Sequence, residues 1–180
     1  FILGFNHNAS REGSNRIHFK IGKIGSTQVG LCDSQYSNST STSGAFTMNT
    51  SNTNSGGWAN CHMRKTVLGS DATPTSPRAN TLLAALPPDL RAVMKPITKY
   101  SDNTGGGNNT ASYVTSTTDY LPLLSEFEYH GARTYANSAE QNYQQQYEYY
   151  RAGNSKVHYK HNATGTAAGV WSVSYTHLTL

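Results

Sequence analysis

Three features of the 180-residue sequence predict an α+β fold, irregular and loop-rich, with short helices and a small, mostly antiparallel sheet. Strand and helix signals follow one another without the regular alternation that builds a parallel α/β sheet. No fixed repeat period runs through the chain. Hydrophobic residues make up 36% and charged residues 13%, yet there are 12 Tyr, 5 Phe and 2 Trp. Disordered chains are poor in aromatics, so the composition fits a modest core wrapped in neutral polar loops of Asn, Ser, Thr and Gly.

Phe1–Phe5 reads as a strand already under way at the first residue. Ile17, Phe19 and Ile21 alternate with His18, Lys20 and Gly22, the period-two pattern of a half-buried strand with its apolar side inward. Residues 35–55 are almost all Ser, Thr and Asn around Phe46 and Met48, which predicts a long exposed loop. After Gly56-Gly57, the spacing of Trp58, Cys61 and His62 or Lys65 predicts a short helix anchored by Trp58 and ending near Gly69. Asn80 or Thr81 caps a turn over Leu82–Leu86. Pro87-Pro88 stops it and opens another, since Pro suits the first helical position, with Leu90, Val93 and Met94 as its apolar face and Pro96 as its end.

Lys95–Tyr100 is extended, and residues 101–117 are expected to be largely loop around Asp102-Asn103-Thr104-Gly105-Gly106-Gly107-Asn108-Asn109. Tyr120–Leu124 reads as a buried strand, with Pro122 placing it at an edge or bulge. Ser125 and Glu128 form a capping box. Ser138 and Gln141 form a second one, opening the longest expected helix, Ser138–Ala152, which Gly153 terminates. The expected core is Trp58, Leu90, Val93, Leu121, Leu123, Leu124 and Trp171.

Charge excludes some functions. A net +4 is small and scattered, and nucleic-acid binding calls for a basic stripe. The densest basic stretch, Lys156–His161, reads as a solvated strand. Nothing approaches a membrane span. Cys32 and Cys61 lack metal-site spacing and suit free thiols, or a single bridge in an oxidising compartment.

Few residues suggest chemistry. His158 and His161 fall on opposite faces of a strand. Asp102 with Asn103, Asn108 and Asn109 offers oxygen ligands of the kind calcium takes, with a single carboxylate. Glu126 and Glu128 point apart on a helix and make no acid/base pair. Cys61 and His62 are helix neighbours that do not face each other. The Asn-x-Ser/Thr triplets at Asn8, Asn38 and Asn162 are what an Asn- and Ser-rich chain produces by chance. Tyr143, Tyr147, Tyr149 and Tyr150 are the candidate ligand surface, because Tyr gives large amphipathic contact at little entropic cost. The competing expectation makes the stripe Ala139, Tyr143, Tyr147 and Tyr150 core and leaves Tyr149 outside.

The last eight residues, Val173–Leu180, back-translate as GTC TCT TAT ACA CAT CTG ACG CTG, the end of a common transposase sequencing adapter. Native sequence is therefore expected to stop at Trp171 or within the codon for Ser172, which makes residues 1–171 one incomplete unit and residues 172–180 read-through.

Several phrases together resemble a known family: Ile2-Leu3-Gly4-Phe5-Asn6-His7, Gly57-Trp58 with Met63-Arg64, Leu86-Pro87-Pro88-Asp89-Leu90-Arg91, Thr118-Asp119-Tyr120-Leu121 leading to Leu123-Leu124-Ser125-Glu126, and Gly169-Val170-Trp171. They resemble an uncharacterised domain of gut-bacterial surface proteins and prophage proteins, similar to the C-type-lectin-like fold of formylglycine-generating enzymes and phage receptor-binding proteins. The resemblance covers Phe1–Trp171 and implies a domain cut short before its closing strands.

Composition and resemblance lead to the expectation of a noncatalytic recognition or adhesion module on a bacterial surface or phage tail. Such a module would be extracellular, part of a larger chain, and would bind a glycan or a surface protein without a cofactor, calcium being the one considered. The rivals are a carbohydrate- or peptide-modifying enzyme and a structural spacer.

Overall fold

The computed structural model describes residues 1–20, 23–24, 27–28, 48–51, 53–105, 109–156, 158–159 and 167–168. Helices and strands are mixed, and the described strands pair as four antiparallel two-stranded units, so the class is α+β. β1 (Ile2–Phe5) pairs with β2 (Ile17–Phe19) across the short helix α1 (Ala9–Glu12). β3 (Lys23–Ile24) and β4 (Thr27–Gln28) form a small ladder. Then follow α2 (Gly57–Asn60), α3 (Leu82–Ala85) and α4 (Pro88–Val93). The longest ladder pairs β5 (Ile97–Asp102) with β6 (Val114–Asp119). α5 (Glu126–His130), α6 (Glu148–Arg151) and the ladder of β7 (His158–Tyr159) with β8 (Ala167–Ala168) complete the order.

Among the described residues, two apolar clusters form the core. The first gathers Trp58, Cys61, Met63 and Leu68, with Leu121 and Leu123 packed on it half-buried. Trp58, the expected anchor of this segment, is fully buried. The second joins Leu3, Tyr129, Tyr147 and Tyr150, with Leu124 and Tyr149 against it.

The polar framework is as extensive as the apolar one. Asp119, fully buried at the end of β6, accepts hydrogen bonds from Trp58 Nε1 (3.1 Å), Arg64 Nε (2.7 Å), Ser70 Oγ (2.9 Å) and Thr117 Oγ1 (2.5 Å). Arg64 in turn donates to the carbonyls of Ala59 and Thr118. A buried charge is tolerated only when paired and hydrogen-bonded, and this hub meets both conditions.

Several expectations need correction. Between Trp58 and Gly69 the chain makes two pieces: α2 ends at an extended Cys61, and Met63–Leu68 is a wider π-helical turn. The extra width turns Met63, Arg64 and Leu68 inward together, and Gly69 caps the turn at φ 68°. Val93 is 71% exposed and Leu90 only half-buried. α4 is tied down by Arg91, whose guanidinium donates to the carbonyls of Pro74 and Leu86, and not by an apolar face.

The loop expected at residues 101–117 is shorter at both ends. Ser101 and Asp102 belong to β5, and Val114–Thr117 to β6. β6 escapes sequence reading because VTSTTD carries no apolar alternation. Tyr120–Leu124 is not a strand beyond a bridge at Leu124. Pro122 removes a ladder donor there, and the Tyr120 amide donates to the carbonyl of Ser70.

The helix expected over Ser138–Ala152 breaks into a 3₁₀ turn, Ser138–Asn142, capped by Asn137, and the four-residue α6. Tertiary bonds win over helical ones in between. The Tyr147 amide donates to the carbonyl of Glu128 (3.0 Å), and Gln146 Nε2 to that of Tyr129 (2.9 Å). The strand at Ile17–Phe19 is present with its faces reversed, as described next. Ile21, Cys32, His161, Trp171 and the 172–180 tail lie outside the described residues, as does most of the 35–55 stretch.

Candidate functional site

The hairpin β1–β2 presents its apolar side outward. Ile2 faces Phe19, and Phe5 faces Ile17, with a register irregularity between Ile2 and Gly4 that brings Ile2 and Phe5 to one side. These four are 52–62% exposed, and Phe1 54%. The inward pair is Gly4 opposite His18, both buried.

The inward side of the hairpin rests on a cluster of titratable groups. His7, 3% exposed, stacks on Tyr147 with centroids 3.7 Å apart and planes 16° from parallel. His18 Nδ1 lies 2.9 Å from Tyr147 Oη, so these two share a proton in one direction or the other. On its other side, His18 Nε2 is 3.7 Å from Glu12 Oε2, with both side chains almost fully buried. His7 Nδ1 is 3.5 Å from Glu148 Oε1, and the Glu148 side chain is 43% exposed. Both separations exceed a good hydrogen bond. His7 Nδ1, Glu12 Oε2 and Glu148 Oε2 are each buried atoms with no hydrogen-bond partner. Gly4 leaves room here for the Glu148 carboxylate, which a Cβ would displace.

Burial dominates the electrostatics. It pushes the Glu12 carboxyl up to about 7 against the pull of Lys99 and Arg16. It pushes His18 down to about 4, helped by the neighbouring His7, and lowers His7 as well. At neutral pH both imidazoles are uncharged. Tyr147 is held well above its ordinary value by burial and the surrounding carboxylates.

Beside this cluster lies an aromatic rim. Lys20 Nζ sits 5.0–5.2 Å from the ring centroids of Phe1, Tyr149 and Tyr150 and donates to Tyr150 Oη. Phe1 and Tyr149 meet edge to face at 6.1 Å. Burial lowers the Lys20 amine to about 8. A second shelf stacks Tyr100 on Tyr143 at 4.2 Å with the Arg11 guanidinium over both.

The four candidate tyrosines therefore divide. Tyr147 and Tyr150 are buried, whereas Tyr143 and Tyr149 are half-buried at the surface. Asp102 and Asn103 serve the β5–β6 turn. The Asp102 carboxylate accepts from Thr104 N, Thr104 Oγ1 and Asn137 Nδ2, and Asn103 Oδ1 accepts from Ala59 N. Among the described residues no group of three or more His, Cys, Asp or Glu is arranged to hold a metal ion.

Glu126 and Glu128 are buried structural ties. Glu126 accepts from the amides of Thr134, Tyr135 and Ala136, and Glu128 from the Ser125 amide and Lys99 Nζ. The Cys61 thiol is fully buried and pushed up to about 11, which makes it a packing group and not a nucleophile.

No family model matches the sequence, and no curated protein or solved structure matches it either. Among the described residues no helix is long and apolar enough to cross a membrane. Sequence reasoning missed His7, Glu12 and His18 as a group. Their one visible signal was a histidine set between Ile17 and Phe19, which alternation assigns to solvent and the structure assigns to the interior.

Proposed function

We propose that this chain is a noncatalytic recognition module of a cell-surface or phage-tail protein, with a C-type-lectin-like domain and an extracellular setting. The observation that carries the reading is the outward apolar face of β1–β2, where Ile2 pairs with Phe19 and Phe5 with Ile17, all four exposed. A contiguous exposed apolar patch marks an interaction site, and the mixture of Ile and Phe suits a protein surface better than a sugar.

The test is binding of the full chain to intact bacteria after protease or periodate treatment. Loss of binding on protease treatment alone is the expected result. Loss on periodate alone would point to a glycan on the Tyr149 and Tyr143 shelves. Unbound cells throughout, together with blank glycan arrays, would refute the module.

One observation favours a second reading, a carbohydrate- or peptide-modifying enzyme: His7, Glu12 and Glu148 each keep a buried polar atom without a partner, and such groups cluster at active sites. Turnover of a glycan or peptide substrate that disappears in His7→Ala would favour it.

A further inference from the structure

The hairpin β1–β2 rests on the polar cluster beneath it, with further ties at its ends from Arg16 to the Pro96 carbonyl and from Lys20 to Tyr150 Oη. His18 reaches Tyr147, His7 stacks on the same ring, and Leu3 alone enters the apolar core from β1. We propose that this interface is a proton-operated latch, in which Glu12 and His18 dock as a neutral carboxylic acid–imidazole pair while His7 loosens the hairpin on acidification.

The surroundings decide which charges the interface tolerates. His7 and His18 face each other at 5.7 Å between ring centroids, so two imidazolium ions there would repel. Glu128 of α5, Lys99 of β5 and Glu148 of α6 also act on His7, and Arg16, just before β2, acts on His18 and Glu12. Glu128 and Glu148 act on His18 too, and Lys99 and Glu128 on Glu12, with Lys99 and Glu128 paired to each other; Glu12 is the acid whose carboxylate lies 3.7 Å from His18 Nε2. Tyr150 on α6 meets Lys20 at the outer edge.

Glu12 and His18 oppose each other in sign. His18 is depressed from 6.5 to about 4 on docking, so its contribution is present above 6.5 and lost as pH falls toward 4. Glu12 is raised from 4.5 to about 7, so its contribution is present below 4.5 and lost as pH rises toward 7. Between 4.5 and 6.5 the two slopes offset. Docking there moves a proton from imidazolium to carboxylate and takes up none from solvent. Burial lowers His7 in spite of the Glu148 carboxylate 3.5 Å from its Nδ1 and of Glu128, and His7 sets the net acid sensitivity of the wild-type hairpin.

Amide hydrogen exchange on the full chain, corrected for intrinsic rates and compared at pH 5 and pH 7, tests the latch. The reporters are the Asn6 and Lys20 amides, bonded to the carbonyls of Arg16 and Phe1, with the β5–β6 ladder as internal reference. In Glu12→Gln the loss of hairpin protection at pH 5 relative to pH 7 should deepen by on the order of tenfold, since each unit of uncompensated shift is tenfold in the opening equilibrium. In His18→Gln that loss should shrink by a similar factor or reverse, and His7→Asn should flatten the wild-type profile.

Equal profiles in Glu12→Gln and His18→Gln would overturn the proposal, as would β5–β6 opening in step with the hairpin. So would a Glu12→Gln chain that fails to fold at pH 7, because a neutral side chain is what the latch requires there. The latch goes beyond the recognition reading. It is read from the hairpin's own amides, so it stands or fails independently of any ligand.

Discussion

Asp119 concentrates more of the fold than any apolar residue except Trp58. Three donors from residues 58–70 and one from β6 itself converge on one buried carboxylate, and Arg64 is the charged one among them. Asp119→Asn keeps the shape but leaves the buried Arg64 guanidinium with only the more distant Asp71 carboxylate, 3.9 Å away, as counter-ion, which costs about 3 kcal/mol. Urea unfolding of the variant should show that loss with an unchanged slope. A loss under about 1 kcal/mol would mean that the surrounding carbonyls suffice for Arg64. Residue identity in the sequence reveals little of this, because an acid in Thr118-Asp119-Tyr120 looks like any solvated turn residue. Trp58 was legible because a large aromatic side chain at helical spacing with Cys61 marks a buried face. Gly57 lies at φ 51°, and a Cβ on it would collide with the backbone carbonyl of Asp102.

At the scale of elements, local signals held where the chain answers only to itself. Ser125 and Glu128 make both halves of their capping box, with Ser125 Oγ accepting from the Glu128 amide and the Ser125 amide donating to Glu128 Oε2. Thr81 caps α3, and Pro88 opens α4. Local signals failed where distant partners compete. The Tyr147 amide leaves its helix for the carbonyl of Glu128, and the outward turn of Ile17 and Phe19 follows from His18 reaching Tyr147. Alternation reports that a strand has two unlike faces and is silent on which one the molecule buries.

The close approach of β1 to α6 makes a prediction at this scale. Gly4→Ala must displace the Glu148 carboxylate, and since that side chain is partly exposed and able to swing outward, the cost is about 1–2 kcal/mol. Glu148→Ala in the same chain should recover most of it, as read from thermal or urea midpoints. Failure of that rescue would place the obstruction in the backbone of α6.

The whole molecule is a polar scaffold in which apolar area is scarce and unevenly spent. Its core residues form two modest clusters, while Phe1, Ile2, Phe5, Ile17 and Phe19 stand in solvent. The α+β class was legible from the order of strand and helix signals. The candidate site was not, because it assembles His7, Glu12, His18, Tyr147 and Glu148 from both ends of the described chain. Tyr149 and Tyr143 were named from composition, and the structure places both half-buried at the surface.

The measurement that tests the central claim most directly is binding and stability of the Ile17→Ser/Phe19→Ser double variant, read together on the full chain. If the outward face of β1–β2 is the recognition surface, cell binding falls at least tenfold while the cooperative thermal transition stays within a few degrees of wild type. If instead the variant loses its cooperative transition, or binds cells as well as wild type does, that face is part of the fold and not the surface that recognises a partner.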